Sequence, residues 1–176
     1  MPLRIFPVAA PTTFTNDFAA PRSGGRTHEG NDLFAGEGAP LVAVDDGEVR
    51  FGTDPLGGNV ANLRAPDGTR YYYAHLSAYS GVNRTVRAGE VIGYMGHTGN
   101  AANTPTHLHF EVHPSGGPAV NPYPLLAAAP RTDTATSKKG LSPLPALLIA
   151  AALGLGAWAY MNPAAARGLA RRLLPG

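Results

Sequence analysis

The sequence predicts an all-β domain of antiparallel strands, followed by a C-terminal hydrophobic helix. Residues 1–127 alternate short apolar runs with Gly, Asp-Gly and Pro turn signals, and no helical period is sustained before residue 140. The 22 Gly and 17 Pro among 176 residues favour many turns over long helices. A long uncharged stretch near the end of the chain predicts the helix.

Several apolar runs in the first part have the length and composition of strands. They are residues 41–44, 48–51, 59–63, 69–76, 91–95 and 108–113. The first two runs flank Asp45-Asp46-Gly47, and the next two flank Ala65-Pro66-Asp67-Gly68. Asp-Gly between strand-like runs is typical of a β-hairpin, so two hairpins are predicted. Any groove on this antiparallel domain should carry the polar residues described below.

The chain divides into a predicted domain at 1–127, a flexible linker at 128–140 and a hydrophobic helix with a basic end at 141–176. The linker lacks aromatic and large apolar residues. A helix from Pro143 to Met161 would be about 28 Å long, close to the roughly 30 Å hydrocarbon layer of a bilayer. The segment is therefore predicted to span a membrane, and the alternative is a helix docked on the domain or in an assembly.

Charge is distributed unevenly between these parts. Residues 1–130 hold 8 Lys+Arg and 11 Asp+Glu, whereas residues 131–176 hold 6 and 1, for a total net charge of +2. A mildly acidic domain gives no indication of a nucleic-acid interface, and the basic tail suits an anionic membrane surface. The chain has no Cys, so a metal site would have to use His, Asp or Glu.

The segment Thr106-His107-Leu108-His109-Phe110-Glu111 carries the most specific pattern. On a strand, His107, His109 and Glu111 share one face, while the residues between them point to the core. Two imidazoles about 6–7 Å apart on one strand can serve one site in two roles, one on a metal and one on the substrate. A coincidental pair of surface histidines is the alternative. His113 is left out of the predicted site because it precedes Pro114 at the strand end.

His28 and Asp32 form a second cluster with a four-residue spacing. Gly30 and the Arg-Ser-Gly-Gly-Arg stretch before it predict a loop entering a strand rather than a helix. An imidazole and a carboxylate suit Zn²⁺, and a third His would complete three protein ligands with a fourth position for water. A capping Asp and a surface His are the alternative.

His75 ends the third cluster, Tyr71-Tyr72-Tyr73-Ala74-His75. Tyr71, Tyr73 and His75 alternate onto one face of the predicted strand, and Tyr72, Ala74 and Leu76 lie on the other. A half-buried structural histidine is the alternative here.

Together these clusters resemble the lysostaphin/LytM-type metallopeptidases of the M23 family, from about Asp17 to Leu126. The stretches that carry the resemblance agree in order and spacing: His28-Glu29-Gly30-Asn31-Asp32, Tyr73-Ala74-His75-Leu76, the glycine-containing 93–100 turn, His107-Leu108-His109-Phe110-Glu111, Val44–Val49 and Asn121-Pro122. The loop before the His-x-His departs from the family, with Asn103-Thr104-Pro105-Thr106 in place of a more glycine-rich sequence.

The resemblance implies both a site and an activity. It implies one Zn²⁺ per chain on His28, Asp32 and His109, with His75 and His107 as the two catalytic histidines. It also implies a β-roll-like antiparallel sheet with an open groove, and hydrolysis of peptide bonds in peptidoglycan stems or cross-bridges. The rival interpretation is a non-catalytic wall-binding or regulatory module of the same fold.

The sequence gives conflicting indications of where in the cell such an enzyme acts. The first 14 residues make a poor signal peptide, yet peptidoglycan lies outside the cytoplasmic membrane. We therefore expect action in the cell envelope or in a phage or injection particle, as a lysin, with membrane or assembly contact through residues 141–166.

Overall fold

The computed structural model describes residues 2–131. The predicted helix at 141–176 and most of the predicted linker at 128–140 lie outside the described residues. Within residues 2–131 no helix is long and apolar enough to cross a membrane. The elements of this range are β1 (Thr13–Phe14), β2 (Asn31–Phe34), β3 (Pro40–Val42), β4 (Gly47–Asp54), β5 (Gly58–Arg64), β6 (Arg70–Ala74), β7 (Leu76–Tyr79), β8 (Arg84–Val86), β9 (Val91–Met95), β10 (His107–His113) and α1 (Tyr123–Ala128).

These strands form two antiparallel sheets, so the predicted antiparallel all-β class is confirmed. The larger sheet has the order β1-β2-β10-β6-β5-β4-β8, and the smaller has the order β3-β9-β7. One hydrophobic core joins them. The buried Tyr73 hydroxyl links the sheets, because it donates to the Val42 carbonyl at 3.1 Å and accepts from the Val44 amide at 3.0 Å.

The second predicted hairpin is confirmed. β5 and β6 pair antiparallel in the register Leu63↔Tyr71 and Ala61↔Tyr73. Within the connecting turn, the Gly68 amide donates to the Ala65 carbonyl at 2.9 Å. Apolar residues at alternate positions of both strands are buried in the core, which is the pattern that the sequence predicts for a sheet with one polar face.

The first predicted hairpin is wrong. β3 pairs with β9 in the smaller sheet, whereas β4 pairs with β5 and β8 in the larger sheet. The Asp46 carboxylate is occupied by distant partners, accepting from the Ala88 amide at 2.9 Å and from the Arg4 guanidinium at 2.5 Å. Asp45-Asp46-Gly47 therefore carries the chain from one sheet to the other, which a local turn signal does not distinguish from a hairpin.

The polar face of the larger sheet positions the candidate site. On β10, Leu108, Phe110 and Val112 are buried in the core, while His107 and His109 line a cleft on the opposite face. β10 lies between β2 and β6, so residues of three adjacent strands meet there. The predicted alternation along His107–Glu111 is therefore confirmed.

Candidate active site

Three side chains converge at the junction of β2 and β10. Asp32 and His109 are direct cross-strand partners, and His28 lies in the loop that enters β2. His28 Nε2 is 2.8 Å from His109 Nδ1 and 3.1 Å from Asp32 Oδ1, and His109 Nδ1 is 3.1 Å from Asp32 Oδ1. The structure thus brings together the three predicted metal ligands, with one atom of each directed at the same point.

Gly30 allows the His28 loop to pack this closely on β10. A Cβ at Gly30 would collide with the Phe110 carbonyl oxygen and come within 3.0 Å of His109 Cε1. Only glycine lets the backbone between the two ligands lie against the neighbouring strand. This close approach explains why the four-residue spacing of His28 and Asp32 belongs to a loop and a strand rather than to a helix.

The outward-facing atoms of both ligand histidines have defined partners. His28 Nδ1 donates to the Asp17 backbone carbonyl at 2.9 Å, which leaves the Nε2 lone pair directed inward. His109 Nε2 contacts Glu111 Oε1 at 2.9 Å, as donor to a carboxylate. Carboxylate or carbonyl partners of this kind orient metal-binding imidazoles and raise their basicity.

The electrostatics of the cluster favour a positive charge among the converging atoms. Burial lowers the pKa of His109, but its hydrogen bonds to Asp32 and Glu111 outweigh burial and raise the pKa to about 9. Burial raises the pKa of Asp32, yet hydrogen bonds from His109 and His28 hold it well below its usual range. A readily protonated imidazole beside an ionised carboxylate favours a cation at this point, and a metal ion bound there would displace the imidazole proton.

The chemistry of this donor set fits zinc. Two imidazole nitrogens and one carboxylate oxygen are common catalytic zinc ligands, with bonds of about 2.0–2.2 Å. Within residues 2–131, His28, Asp32 and His109 have the convergent geometry of a metal site. The second oxygen of Asp32 is held by Arg22 Nη2 at 2.6 Å, which leaves Oδ1 for the metal.

His75 and His107 lie beside this cluster, with ring centroids 4.9 Å apart. His75 Nδ1 donates to the Thr98 carbonyl, and His107 Nδ1 to the Pro105 carbonyl, both at 2.8 Å. Each ring therefore keeps its Nε2 available to a substrate, and His107 Nε2 is 3.9 Å from Asp32 Oδ1. Burial, followed by the nearby His107 and His109, lowers the pKa of His75 to about 4.

The backbone at His75 differs from the sequence prediction. β6 ends at Ala74, and His75 adopts a φ of +67°, a conformation that few non-glycine residues adopt. The strand does not continue through it, so His75 lines the cleft beside Tyr72 while Tyr71 and Tyr73 are buried in the core. The predicted sharing of one face by Tyr71, Tyr73 and His75 is therefore wrong.

Glu111 and His113 extend the site beyond the predicted residues. His113 Nε2 lies 2.6 Å from Glu111 Oε2, and His113 Nδ1 donates to the Gly117 carbonyl at 2.8 Å. Glu111 thus connects His109 to His113 through its two oxygens, and both Glu111 and His113 are buried. The alternation of His and Glu along β10 carried this signal. His113 does end β10, as predicted, but its position at the strand end still places it against Glu111.

The candidate site opens into a cleft of about 600 Å³. Besides the five predicted site residues, charged and polar side chains line it: Arg22, Arg26, Glu29, Asp54, Arg70, Tyr72, Asn100 and Thr104. Tyr72 donates its hydroxyl hydrogen to Asp54 and presents its ring edge-on to His109, with centroids 6.3 Å apart. Tyrosine and arginine positions on the cleft wall were not predicted, because their type alone does not distinguish a wall from a solvated surface.

The two-sheet fold and the polar cleft define a β-sheet peptidase domain of the lysostaphin/LytM type. Residues 26–122 match the Peptidase family M23, and the chain belongs to this family. The predicted resemblance is therefore confirmed.

Curated relatives share this domain. The chain is 40% identical over 111 residues to the DD-carboxypeptidase/endopeptidase Mpg of Neisseria meningitidis, covering 62% of this chain and 25% of the relative. It is 38% identical over 120 residues to the glycyl-glycine endopeptidase ALE-1 of Staphylococcus capitis, covering 64% and 33%. For the L-Ala–D-Glu endopeptidase of Bacillus subtilis, the identity is 34% over 122 residues, covering 62% and 37%. The chain thus spans a quarter to little more than a third of these relatives.

Solved structures agree with the fold. The catalytic domain of lysostaphin from Staphylococcus simulans matches with a TM-score of 0.59 and 33% identity, covering 66% of this chain and 92% of that one. A putative glycyl-glycine endopeptidase lytM from Ruminococcus gnavus gives a TM-score of 0.64 and 28% identity, covering 74% and 63%. A zinc containing peptidase from Vibrio cholerae gives 0.58 and 28%, covering 67% and 38%.

Proposed function

We propose that this chain is a zinc-dependent endopeptidase that hydrolyses peptide bonds in peptidoglycan stems or cross-bridges. The observation that carries the proposal is the convergence of His28 Nε2, Asp32 Oδ1 and His109 Nδ1 within 3.1 Å of one another at the cleft. The names of the curated relatives support the reaction class, since three of them are described as endopeptidases.

His28, Asp32 and His109 would hold one zinc ion. When bound, zinc supplies Lewis acidity, which lowers the pKa of water to about 7 and polarises a carbonyl group. The solved Vibrio cholerae relative is described as zinc containing, which supports the choice of metal. Arg22 on Asp32 and Glu111 on His109 keep these ligands oriented before the metal arrives.

His75 and His107 would move protons and stabilise charge. Both donate Nδ1–H to a backbone carbonyl, so both direct Nε2 at the space in front of the metal ligands. A neutral Nε2 accepts a proton from attacking water, and the resulting N–H can donate to the leaving amine or to the developing oxyanion. The geometry suits either histidine for either role, and the two tasks are divided between them.

The low pKa of His75 keeps its ring neutral at physiological pH. A neutral ring is required of a base, whereas a permanently charged imidazolium could only donate. Burial therefore prepares His75 to act across the neutral range without prior loss of a proton. No separate residue needs to be invoked to deprotonate it.

The test uses the full chain in zinc-containing buffer. We expect about one zinc per chain by metal analysis, and chelator-sensitive clearing of purified peptidoglycan, with mass spectrometry of the products identifying the bond. Bound zinc without clearing of any peptidoglycan would contradict the endopeptidase and favour the wall-binding module. A protein that binds no zinc would contradict the metal site.

We also propose a setting in the cell envelope or in a phage or injection particle. The support is compositional: residues 140–166 carry no charge and are followed by Arg167, Arg171 and Arg172. Fractionation with an antibody to the chain tests it. Finding the protein with membranes or particles agrees, and finding it only in the soluble fraction of cells and lysates contradicts it.

A further inference from the structure

Arg70 lies at one end of the cleft floor. On β6, Ala74 is the cross-strand partner of His109, Tyr72 that of Glu111, and Arg70 that of His113. These three β6 residues alternate onto the cleft face and all line the cleft. Arg70 is thus four residues along the strand from the metal-ligand level, or about 13 Å between Cα atoms.

The Arg70 guanidinium is half-buried and reaches back toward the site. It lies 5.8 Å from the centroid of the Tyr72 ring, the same ring that packs edge-on to His109. Its Nη1 donates to the neutral amide oxygen of Asn62 at 3.1 Å. The side chain of Tyr72 alone therefore lies between the guanidinium of Arg70 and the ring of His109.

This charge has no anionic partner within residues 2–131, where no carboxylate oxygen lies within 4.0 Å of the guanidinium nitrogens of Arg70. The nearby acids are engaged elsewhere: Asp54 by Tyr72 and the Gly57 amide, and Glu111 by two histidines. A half-buried guanidinium with five donors and one neutral acceptor keeps most of its hydrogen-bonding capacity for a ligand. Carboxylates are the ligands that best match its planar fork.

We propose that Arg70 is a specificity-determining residue that binds a free carboxylate of the substrate, so that the cleft selects acidic stem peptides over uncharged glycine cross-bridges. The inference rests on the proposed endopeptidase function and deepens it. Along an extended peptide at about 3.3 Å per residue, a carboxylate on Arg70 lies within about four residues of the scissile bond. Stem peptides carry side-chain or terminal carboxylates at such spacings, and a glycine bridge carries none.

Binding can be measured without turnover. Zinc-loaded, full-length His107→Ala is titrated by calorimetry with a cross-linked stem peptide bearing free carboxylates, with the same peptide amidated, and with pentaglycine that is acetylated at its N-terminus and amidated at its C-terminus. We expect the free acid to bind about 10- to 100-fold tighter than the amide, the range for a charged hydrogen-bonded pair. Adding Arg70→Gln should remove this difference by weakening only the free acid.

Controls separate this role from structural damage. Arg50→Gln removes the same charge from a residue of the same sheet that lies outside the cleft. This variant should keep the full preference for the acid. Arg70→Lys should keep part of it, because the charge remains and the fork is lost. In the enzyme with His107 intact, Arg70→Gln should raise KM for the acid with little change in kcat, and zinc content should stay at the wild-type level.

Equal binding of the acid and the amide to the parent, or an equal loss of both in Arg70→Gln, would overturn the proposal. Tighter binding of pentaglycine than of the acid would also overturn it. The proposed function fails by a different result, which is that the zinc-loaded wild-type chain cleaves none of these peptides. The binding comparison decides on Arg70 in either case.

Discussion

The metal-ligand cluster and the His75–His107 pair are neighbours that are held in different ways. The ligands His28 and His109 are fixed through Asp17 and Glu111, on a strand pairing that makes Asp32 and His109 direct partners. His75 and His107 are fixed by backbone carbonyls of the segment between β9 and β10. The proposed metal-binding part is held by paired strands and the proposed proton-handling part by a loop, so substitutions should affect the two separately.

Removing a ligand should have the largest effect. In His109→Ala we expect zinc binding and activity to be lost together, because two remaining ligands do not form a catalytic zinc site. Metal analysis and peptidoglycan clearing measure both. His97→Ala is a matched control, since His97 lies outside the cleft lining and should keep both properties. Activity that survives in zinc-free His109→Ala would contradict the proposal that His109 acts through a bound metal.

Removing a proton-handling residue should separate zinc from turnover. His107→Ala should keep about one zinc per chain while turnover falls about 10²- to 10⁴-fold, the contribution of a positioned acid or base. Single-turnover cleavage of a soluble peptide, alongside metal analysis, is the measurement. Full activity in this variant would show that His107 has no part in the chemistry.

Weakening the support of His109 should change metal affinity more than folding. Glu111→Ala removes the acceptor of His109 Nε2–H, and we expect zinc affinity to fall about 10- to 100-fold. Competition with a chromophoric chelator gives the affinity. Glu111→Gln keeps an acceptor oxygen and should lose less. Identical affinities in wild type, alanine and glutamine variants would show that the Glu111–His113 connection does not act on the metal.

The smallest effect concerns stability at mildly acid pH. The pKa of His75 is lowered to about 4, below its unfolded value, so the folded protein favours the neutral ring. Above about pH 6.5 this preference does not lower the free energy of unfolding, because the ring is also neutral in the unfolded chain. The free energy of unfolding then decreases as the pH falls from about 6.5 toward 4. Relative to His75→Gln, wild type should lose about 1–2 kcal/mol of unfolding free energy between pH 7 and 5.

Urea unfolding of both proteins at the two pH values measures this difference. The other histidines are present in both proteins, so their contribution cancels in the comparison. A parallel loss of stability in wild type and His75→Gln would show that His75 is not held neutral by the fold.

The sequence was most informative where chemistry and strand period coincide. Alternation along His107–Glu111 predicted correctly which side chains face the cleft, since residues i and i+2 of a strand share a face. Glycine and turn signals likewise placed His28 in a loop and Asp32 in a strand. Both predictions needed only local geometry.

Other features depended on contacts between distant parts of the chain. His75 takes a positive φ where its amide donates to the Gly57 carbonyl at 2.7 Å, and no local signal marks that break in an aromatic strand. Asp45-Asp46-Gly47 looked like a hairpin because its composition is right, but Arg4 and Ala88 determine its path. Arginine at a strand end is ordinary, and the proposed role of Arg70 follows only from the lack of an anionic partner for its guanidinium among residues 2–131.

The direct pairing of Asp32 with His109 would also make a bound metal ion a report on correct folding. A slip of one residue between β2 and β10 would turn His109 into the core and bring Leu108 or Phe110 to the cleft, because strand side chains alternate. The three ligand atoms would then no longer meet. The amount of zinc bound by a refolded sample would therefore give the fraction of molecules in which β2 and β10 pair in the native register. Zinc binding would also stabilise that register relative to the misaligned ones.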